Sequence, residues 1–114
     1  MKLFGFSKRE RIRRQKEFLA VLKKGKKWQT SHFVIFLKPN TQSCTRLGIR
    51  VGRDVGKAVK RNRVKRLIRE FFRLHKYELP VGHDVVIMVK KDATSLSYHQ
   101  VCKELSQVLC QRKR

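Results

Sequence analysis

Apolar residues fall into six groups along the 114-residue chain, and the spacing changes from group to group. Between Arg14 and Lys24, Phe18, Val21 and Leu22 recur at i, i+3, i+4 with Leu19 to one side, which predicts a short helix. Gly25 supplies a stop, and Lys23 and Lys24 suit the negative end of the helix dipole. From His32 to Lys38 the residues are β-branched and aromatic, and the run ends at the turn signal Pro39-Asn40. Thr45 to Gly52 alternates: Leu47, Ile49 and Val51 point one way, Arg46, Gly48 and Arg50 the other. That pattern predicts a strand with one core face and one basic face, paired antiparallel with the strand before it. Lys26 to Gln29 reads either as a further short strand or as a bulged extension.

A longer 3.6-residue period follows. Val64, Leu67, Ile68, Phe71 and Leu74 gather on one side of a helix, and Asn62, Arg66, Arg69 and Arg73 on the other. Pro80-Val81-Gly82 then turns the chain into Asp84–Lys91, apolar on both faces and therefore expected at the centre of a sheet. Tyr98, Val101, Cys102, Leu105, Val108 and Leu109 return at helical spacing behind a capping box of Ser97 and Gln100. This last helix reads as a packing helix, with Tyr98 in the core. The order α-β-β-β-α-β-α predicts an α+β fold, a small two-layer sandwich of three helices and about four mainly antiparallel strands. Residues 1–114 are expected to form a single domain with a basic arm at 1–13.

Charge changes what such a fold is for. There are 30 Lys and Arg against 8 Asp and Glu, a formal net charge of +22. So large an excess opposes compaction and attracts polyanions, nucleic acid before an anionic membrane surface. The longest apolar run, Val85 to Val89, is far short of a membrane span, and the first residues lack a signal-peptide pattern. Cys44, Cys102 and Cys110 are too few and too scattered for a disulfide framework, and no CxxC pair occurs. A soluble cytoplasmic protein is expected.

The charge concentrates in "GKAVKRNRVKRLIREFFR", Gly56 to Arg73, where eight of eighteen residues are Lys or Arg and Glu70 alone is acidic. Arginine forks bind phosphate bidentately and tolerate partial desolvation. Arg53, Lys57, Lys60 and Arg61 crowd the helix N-terminus, where cations are disfavoured by a few tenths of a kcal/mol each. A local rule broken repeatedly in one place points to function. The free N–H groups of the first turn, with Gly52 and Gly56 beside them, complete an anion trap.

These residues carry a resemblance. "GKAVKRNRVKRLIRE" resembles the RNR motif of the bacterial ribonuclease P protein subunit, a small basic partner of a large catalytic RNA. "RIRRQKEFLAVLKKGKK" is similar to that family's first helix, "RLGIRVGRDVGKAV" to the strand entering the motif, and "DVVIMVKK" to its late central strand. The resemblance implies a left-handed βαβ crossover and a division of labour. The RNA cuts precursor tRNA at the mature 5′ end with bound Mg2+, and the protein has no catalytic residue and no metal site of its own. It implies that Arg53, Lys57, Arg61, Asn62, Arg63, Lys65, Arg66 and Arg69 contact the RNA subunit. It implies that Phe18, Leu22, Phe36 and Arg50 line a cleft for the single-stranded 5′ leader. An aromatic beside a cation on an open sheet face suits an unpaired nucleotide. The partners implied are the ribonuclease P RNA and precursor tRNA, with no membrane and a monomeric free protein. The family usually has an aromatic where this chain has Leu22. Gly52 and Asp54 depart from the usual approach to the motif, Asp54 reading as a helix cap.

Three rival readings meet the same residues. A protein-borne active site lacks support, because His32, His75, His83 and His99 do not pair and carboxylates are too sparse for a two-metal site. A ribosomal or other structural RNA-binding protein fits the charge equally well but needs no leader cleft. A helix-turn-helix reader is disfavoured, because no short helix precedes the basic one.

Overall fold

In the computed structural model, which describes residues 11–12, 14–41, 44–75 and 78–110, the elements fall close to where the spacing puts them. They are α1 (Gln15–Lys24), β1 (Lys26–Gln29), β2 (Phe33–Pro39), β3 (Arg46–Val51), α2 (Ala58–Leu74), β4 (His83–Val89) and α3 (Tyr98–Leu109), with 3-10 turns at Arg53–Val55 and Lys91–Ser95. The Ser97–Gln100 capping box forms in full: Gln100 N–H donates to the Ser97 hydroxyl and Ser97 N–H to the Gln100 side chain.

One sheet holds the four strands in the order β1-β2-β4-β3. β1 and β2 pair antiparallel, as do β2 and β4, and β3 runs parallel to β4. The expected antiparallel pairing of β3 with its predecessor does not occur. The central slot goes to β4, whose residues 84–87 are all buried. β3, with exposed Arg50, is content near the edge. Alternation says which faces a strand has, not which neighbour it takes. β3, α2 and β4 therefore form a βαβ unit between adjacent parallel strands. Outside β3, Ile12 N–H donates to Leu47 O at 3.0 Å and Arg11 makes a single parallel bridge with Leu47, covering part of that edge.

The main core lies on one face, where Phe33, Ile35, Leu47, Val85 and Ile87 meet α2 and α3. α2 buries Val64, Ile68, Phe71 and Phe72. Leu74, expected on the core side, is instead 47% exposed, and Phe72 takes its place. The helix packs against α3 as well as the sheet, so its buried stripe widens toward one flank. Each fully buried large side chain contributes about 1.5–3 kcal/mol. Cys102 and Cys110 pack against this core, as does Tyr98. Glu104 ties α3 to the β1–β2 turn, accepting from Thr30 Oγ1 at 2.6 Å and His32 N at 2.9 Å.

α1 lies on the reverse face, so the sandwich gains a partial third layer. Val21 is fully buried there with Ile12 and Val86, and Phe18, Leu22, Phe36 and Met88 surround them. Gly25 ends the helix with φ −76°, so left-handed freedom is not its purpose. A Cβ at Gly25 would stand 2.6 Å from Val21 O and 2.9 Å from Leu37 O; only glycine lets the chain turn this tightly into β1.

Candidate nucleic-acid interface

The reverse face of the sheet can be read as rows of paired residues. Lys27, Phe36, Val86 and Gly48 form one row across the four strands; Gln29, Val34, Met88 and Arg50 form the next. α1 sits over the first row. A side chain at Gly48 would collide with the Phe18 ring, 2.8 Å away, so glycine is what lets α1 approach β3 so closely. The second row ends in exposed Arg50, whose guanidinium lies over the Phe18 ring at 4.8 Å from its centroid.

All four residues of the expected cleft thus belong to one neighbourhood. Phe18 and Arg50 touch, while Leu22 on α1 and Phe36 on β2 are half-buried in the same apolar cluster. Phe36 is one row away from Arg50 rather than beside it. The half-buried floor next to Arg50 is made by Val34 and Met88, which sequence reasoning did not single out as site residues. Only the register across β2, β4 and β3 places them there.

Arg46 does not contribute to a basic face. Its fork donates to Asp84, Nε to Oδ1 at 2.9 Å and Nη2 to Oδ2 at 2.8 Å, and Nη1 reaches Glu17 at 3.1 Å. Asp84 is 4% exposed and also accepts from Asn40 Nδ2 at 2.8 Å. Burial alone would raise the Asp84 carboxyl, but the Arg46 and Asn40 bonds outweigh it and hold it below the usual carboxylate range. The same bond raises Arg46 above its ordinary value against the opposing effect of burial. Arg46 is a structural ion, and Arg50 is the arginine of β3 left for a ligand.

On α2 the expected RNA-binding residues separate by task. Arg53, Lys57, Asn62, Arg66 and Arg69 are exposed; Arg61, Arg63 and Lys65 are half-buried. Arg63 Nη1 donates to Thr94 O at 3.1 Å, fastening the helix to the turn after β4, and Arg61 Nε donates to Gly56 O at 3.1 Å. Glu70 is engaged by Arg73, an i, i+3 pair that holds the carboxyl below its usual range. No carboxylate of the described residues pairs with Arg66 or Arg69. Asp54 does not cap the helix: it lies in the preceding 3-10 turn, and Lys57 occupies the N-cap without a side-chain bond. The first turn of α2 contains no acid, so its N–H groups and the cations beside it together suit an anionic ligand.

Arg69 joins the two surfaces. It borders a pocket of about 180 Å³ lined by Arg11, Ile12, Phe18, Leu47, Gly48 and Ile49, and a shallow depression with Arg66, Glu70 and Arg73. Partial burial, and after it the nearby Arg11 charge, lower its pKa. The basic helix face and the Phe18–Arg50 cleft are therefore continuous around the outer edge of β3.

Comparison with known proteins gives a consistent result. The family model described as Ribonuclease P matches residues 6–113. A ribonuclease P protein component from Syntrophus aciditrophicus is 44% identical over 109 residues, covering 96% of this chain and 92% of that one. Among solved structures, the ribonuclease P protein of Thermotoga maritima superposes with a TM-score of 0.82 at 35% identity, over 92% of this chain and 99% of the other. That of Staphylococcus aureus gives 0.81 at 32% identity, over 87% and 91%.

Proposed function

The chain belongs to the ribonuclease P protein family, and from that premise we propose that one surface binds the ribonuclease P RNA while a second holds the 5′ leader of precursor tRNA. As a protein subunit of ribonuclease P it takes part in the holoenzyme that matures the 5′ ends of tRNA. Active-site chemistry is assigned to the RNA, and the protein's contribution is electrostatic and positional. Arg53, Lys57, Arg61, Asn62, Arg63, Lys65, Arg66 and Arg69 form the RNA-subunit surface; Phe18, Leu22, Phe36 and Arg50 form the leader cleft, with Val34 and Met88 as its floor.

The observation that carries this reading is the state of Arg66 and Arg69, adjacent on one helix face with no carboxylate partner among the described residues. Guanidinium groups on one face without a carboxylate partner are left for phosphates to neutralise. Arg63 and Arg61 contribute mainly by holding α2 and its N-terminus in place. In the cleft, Phe18 offers a π-face already aligned with a cation, which suits an unpaired nucleotide through stacking and phosphate neutralisation. Mg2+ is assigned to RNA and substrate phosphates, since a chain of net charge +22 is a poor host for a divalent cation. By lowering phosphate repulsion, the protein raises the affinity of substrate and metal together.

Residues 1–114 act as one RNA-binding domain, monomeric when free and cytoplasmic. Among the described residues no helix is long and apolar enough to cross a membrane. The test is cleavage of a precursor tRNA by a bacterial ribonuclease P RNA at low magnesium, with and without this protein. Stimulated cleavage at the mature 5′ end supports the reading. Tight RNA binding without stimulation would replace it with a structural RNA-binding role.

A further inference from the structure

An acid beside a cleft for a polyanion is out of place, and α1 carries one. Glu17 is the helix's single carboxylate and adjoins Phe18, in a chain with 30 Lys and Arg against 8 Asp and Glu. Its charge opposes the phosphates that Arg50 is left to bind. The helix dipole favours an acid in the first turn, but one pointing into water would serve it as well. Glu17 instead turns to the sheet, where Arg46 Nη1 donates to its Oε1 at 3.1 Å.

Arg46 is not free to follow the helix. Buried Asp84 grips the rest of its fork with both oxygens, at 2.9 and 2.8 Å, and Asn40 Nδ2 donates to the same carboxylate at 2.8 Å. Arg46 and Asp84 are also register partners, so the fork starts from a fixed point on β3 and β4. The chain Asn40–Asp84–Arg46–Glu17 therefore runs from the centre of the sheet to the first turn of α1. Among the described residues no other side-chain hydrogen bond or ion pair ties α1 to the sheet. The N-cap residue Arg14 gives no side-chain capping bond.

The tie holds the end of α1 where position matters most. Farther along, Val21 is fully buried and Gly25 turns tightly into β1, which pins the C-terminal half of the helix. Phe18 lies nearer the other end, over Gly48, which gives the ring room but no side chain to lock against. Arg46, Gly48 and Arg50 follow one another along the same face of β3. A fork anchored at Arg46 sets where the first turn sits along that strand. With it is set where the Phe18 ring meets the Arg50 guanidinium, 4.8 Å from the ring centroid.

We propose that Glu17 is a positioning residue for the leader cleft: held by Arg46, it fixes α1 so that Phe18 and Arg50 present one aligned surface to an unpaired nucleotide. Glu17 touches no RNA. Its own charge counts against binding, and its contribution comes through Phe18. The proposal rests on the leader-cleft reading above. The Glu17 side chain is 36% exposed, and an ion pair so close to water shifts the helix between positions by no more than about fivefold.

The electrostatic and positional effects of Glu17 have opposite signs, so affinity separates them. The holoenzyme, reconstituted with a bacterial ribonuclease P RNA, is titrated with precursor tRNA and with leaderless mature tRNA. Glu17→Ala removes both charge and acceptor, whereas Glu17→Gln removes the charge and keeps an oxygen for Arg46. Glu17→Ala should weaken precursor binding by about two- to fivefold, with mature tRNA binding and the precursor salt slope unchanged. Glu17→Gln should recover most of that loss. Tighter precursor binding by both variants, the result that charge alone gives, would overturn the proposal. So would a loss in Glu17→Gln as large as in Glu17→Ala, or an equal loss on mature tRNA. In a Phe18→Leu background, which has no ring to place, Glu17→Ala should add nothing; additive losses would show that Glu17 acts by another route and would overturn the proposal as well. Arg50→Ala separates the two levels of inference: if it fails to weaken precursor binding, the leader-cleft reading itself falls. If Arg50→Ala weakens that binding while Glu17→Ala does not, only the positioning role falls.

Discussion

The guanidinium of Arg50 rests over the ring of Phe18, joining β3 to α1 across the open part of the sheet at 4.8 Å. The contact aligns a cation with an aromatic face before any ligand arrives. A cation–π pair of this kind contributes about 0.5–1 kcal/mol at an exposed site, too little to explain α1's position by itself. Its use lies in preorganisation.

Gly48→Ala tests that preorganisation. The new methyl group would lie 2.8 Å from Phe18 Cε2 and must push the ring aside. The expected stability cost is at the low end of overpacking, about 1 kcal/mol, because a ring edge can move. Precursor affinity should nevertheless fall several-fold, as it does for Arg50→Ala, while affinity for the RNA subunit changes little. Titrations of the two variants against both RNAs decide this.

On α2 the arginines should not be equivalent. Arg66→Ala should weaken the RNA-subunit complex and reduce the salt slope by roughly 0.7–0.9, one phosphate's worth. Arg73→Ala should do much less, because Glu70 already engages that side chain. Arg69→Ala should weaken both the RNA-subunit and precursor complexes, since Arg69 borders the depression on α2 and the Phe18 pocket alike. An Arg69 effect confined to one RNA would show that the surfaces are separate.

Arg63→Ala should act through the fold. Losing the bond to Thr94 O should cost about 0.5–1.5 kcal/mol in urea denaturation. Its effect on RNA affinity should shrink when osmolyte restores folding, whereas the Arg66→Ala defect should persist.

Acid should expose the two separate networks around Asp84 and Glu104. Asp84 and Glu104 are both held below their usual carboxylate values: burial alone would raise each, but hydrogen bonds from Arg46 and Asn40, and from Thr30 and His32, outweigh it. Their folded pKa values are depressed, so their stabilisation is fully present above about pH 4 to 5 and is lost as pH falls through the lower folded values. Thermal stability should therefore be flat in this respect near neutrality and drop below pH 4. Asp84→Asn should cost about 3 kcal/mol near neutrality, because it leaves the half-buried Arg46 with Glu17 alone, and should flatten part of the acid slope.

Much of this was legible in local pattern. The 3.6-residue period of Val64, Ile68 and Phe71 and the opposed row of Arg66 and Arg69 identify α2 and its two faces without any knowledge of neighbours. β4 was recognisable as central because it is apolar on both faces. Strand order was not legible: nothing in the alternation of Leu47, Ile49 and Val51 says that β3 lies parallel beside β4 rather than antiparallel beside β2. The roles of Val34 and Met88 depend on that pairing and were hidden with it. Leu74 and Phe72 exchanged places because α3 covers a flank of α2 that helical periodicity alone treats as solvent. Arg46 and Arg50 look interchangeable along β3, and only buried Asp84 separates the structural arginine from the one left for a ligand. The segment at residues 1–13, expected to be a basic arm, lies outside the described residues except for Arg11 and Ile12.

The most direct test of two RNA surfaces on one small chain is a binding matrix. Affinities of Arg66→Ala and Phe36→Ala would be measured against the ribonuclease P RNA alone and against precursor tRNA in the reconstituted holoenzyme, at one fixed salt concentration. Arg66→Ala should weaken the first and Phe36→Ala selectively the second, by several-fold in each case. Equal losses for both variants on both RNAs would contradict a division of the chain into an RNA-subunit face and a leader cleft.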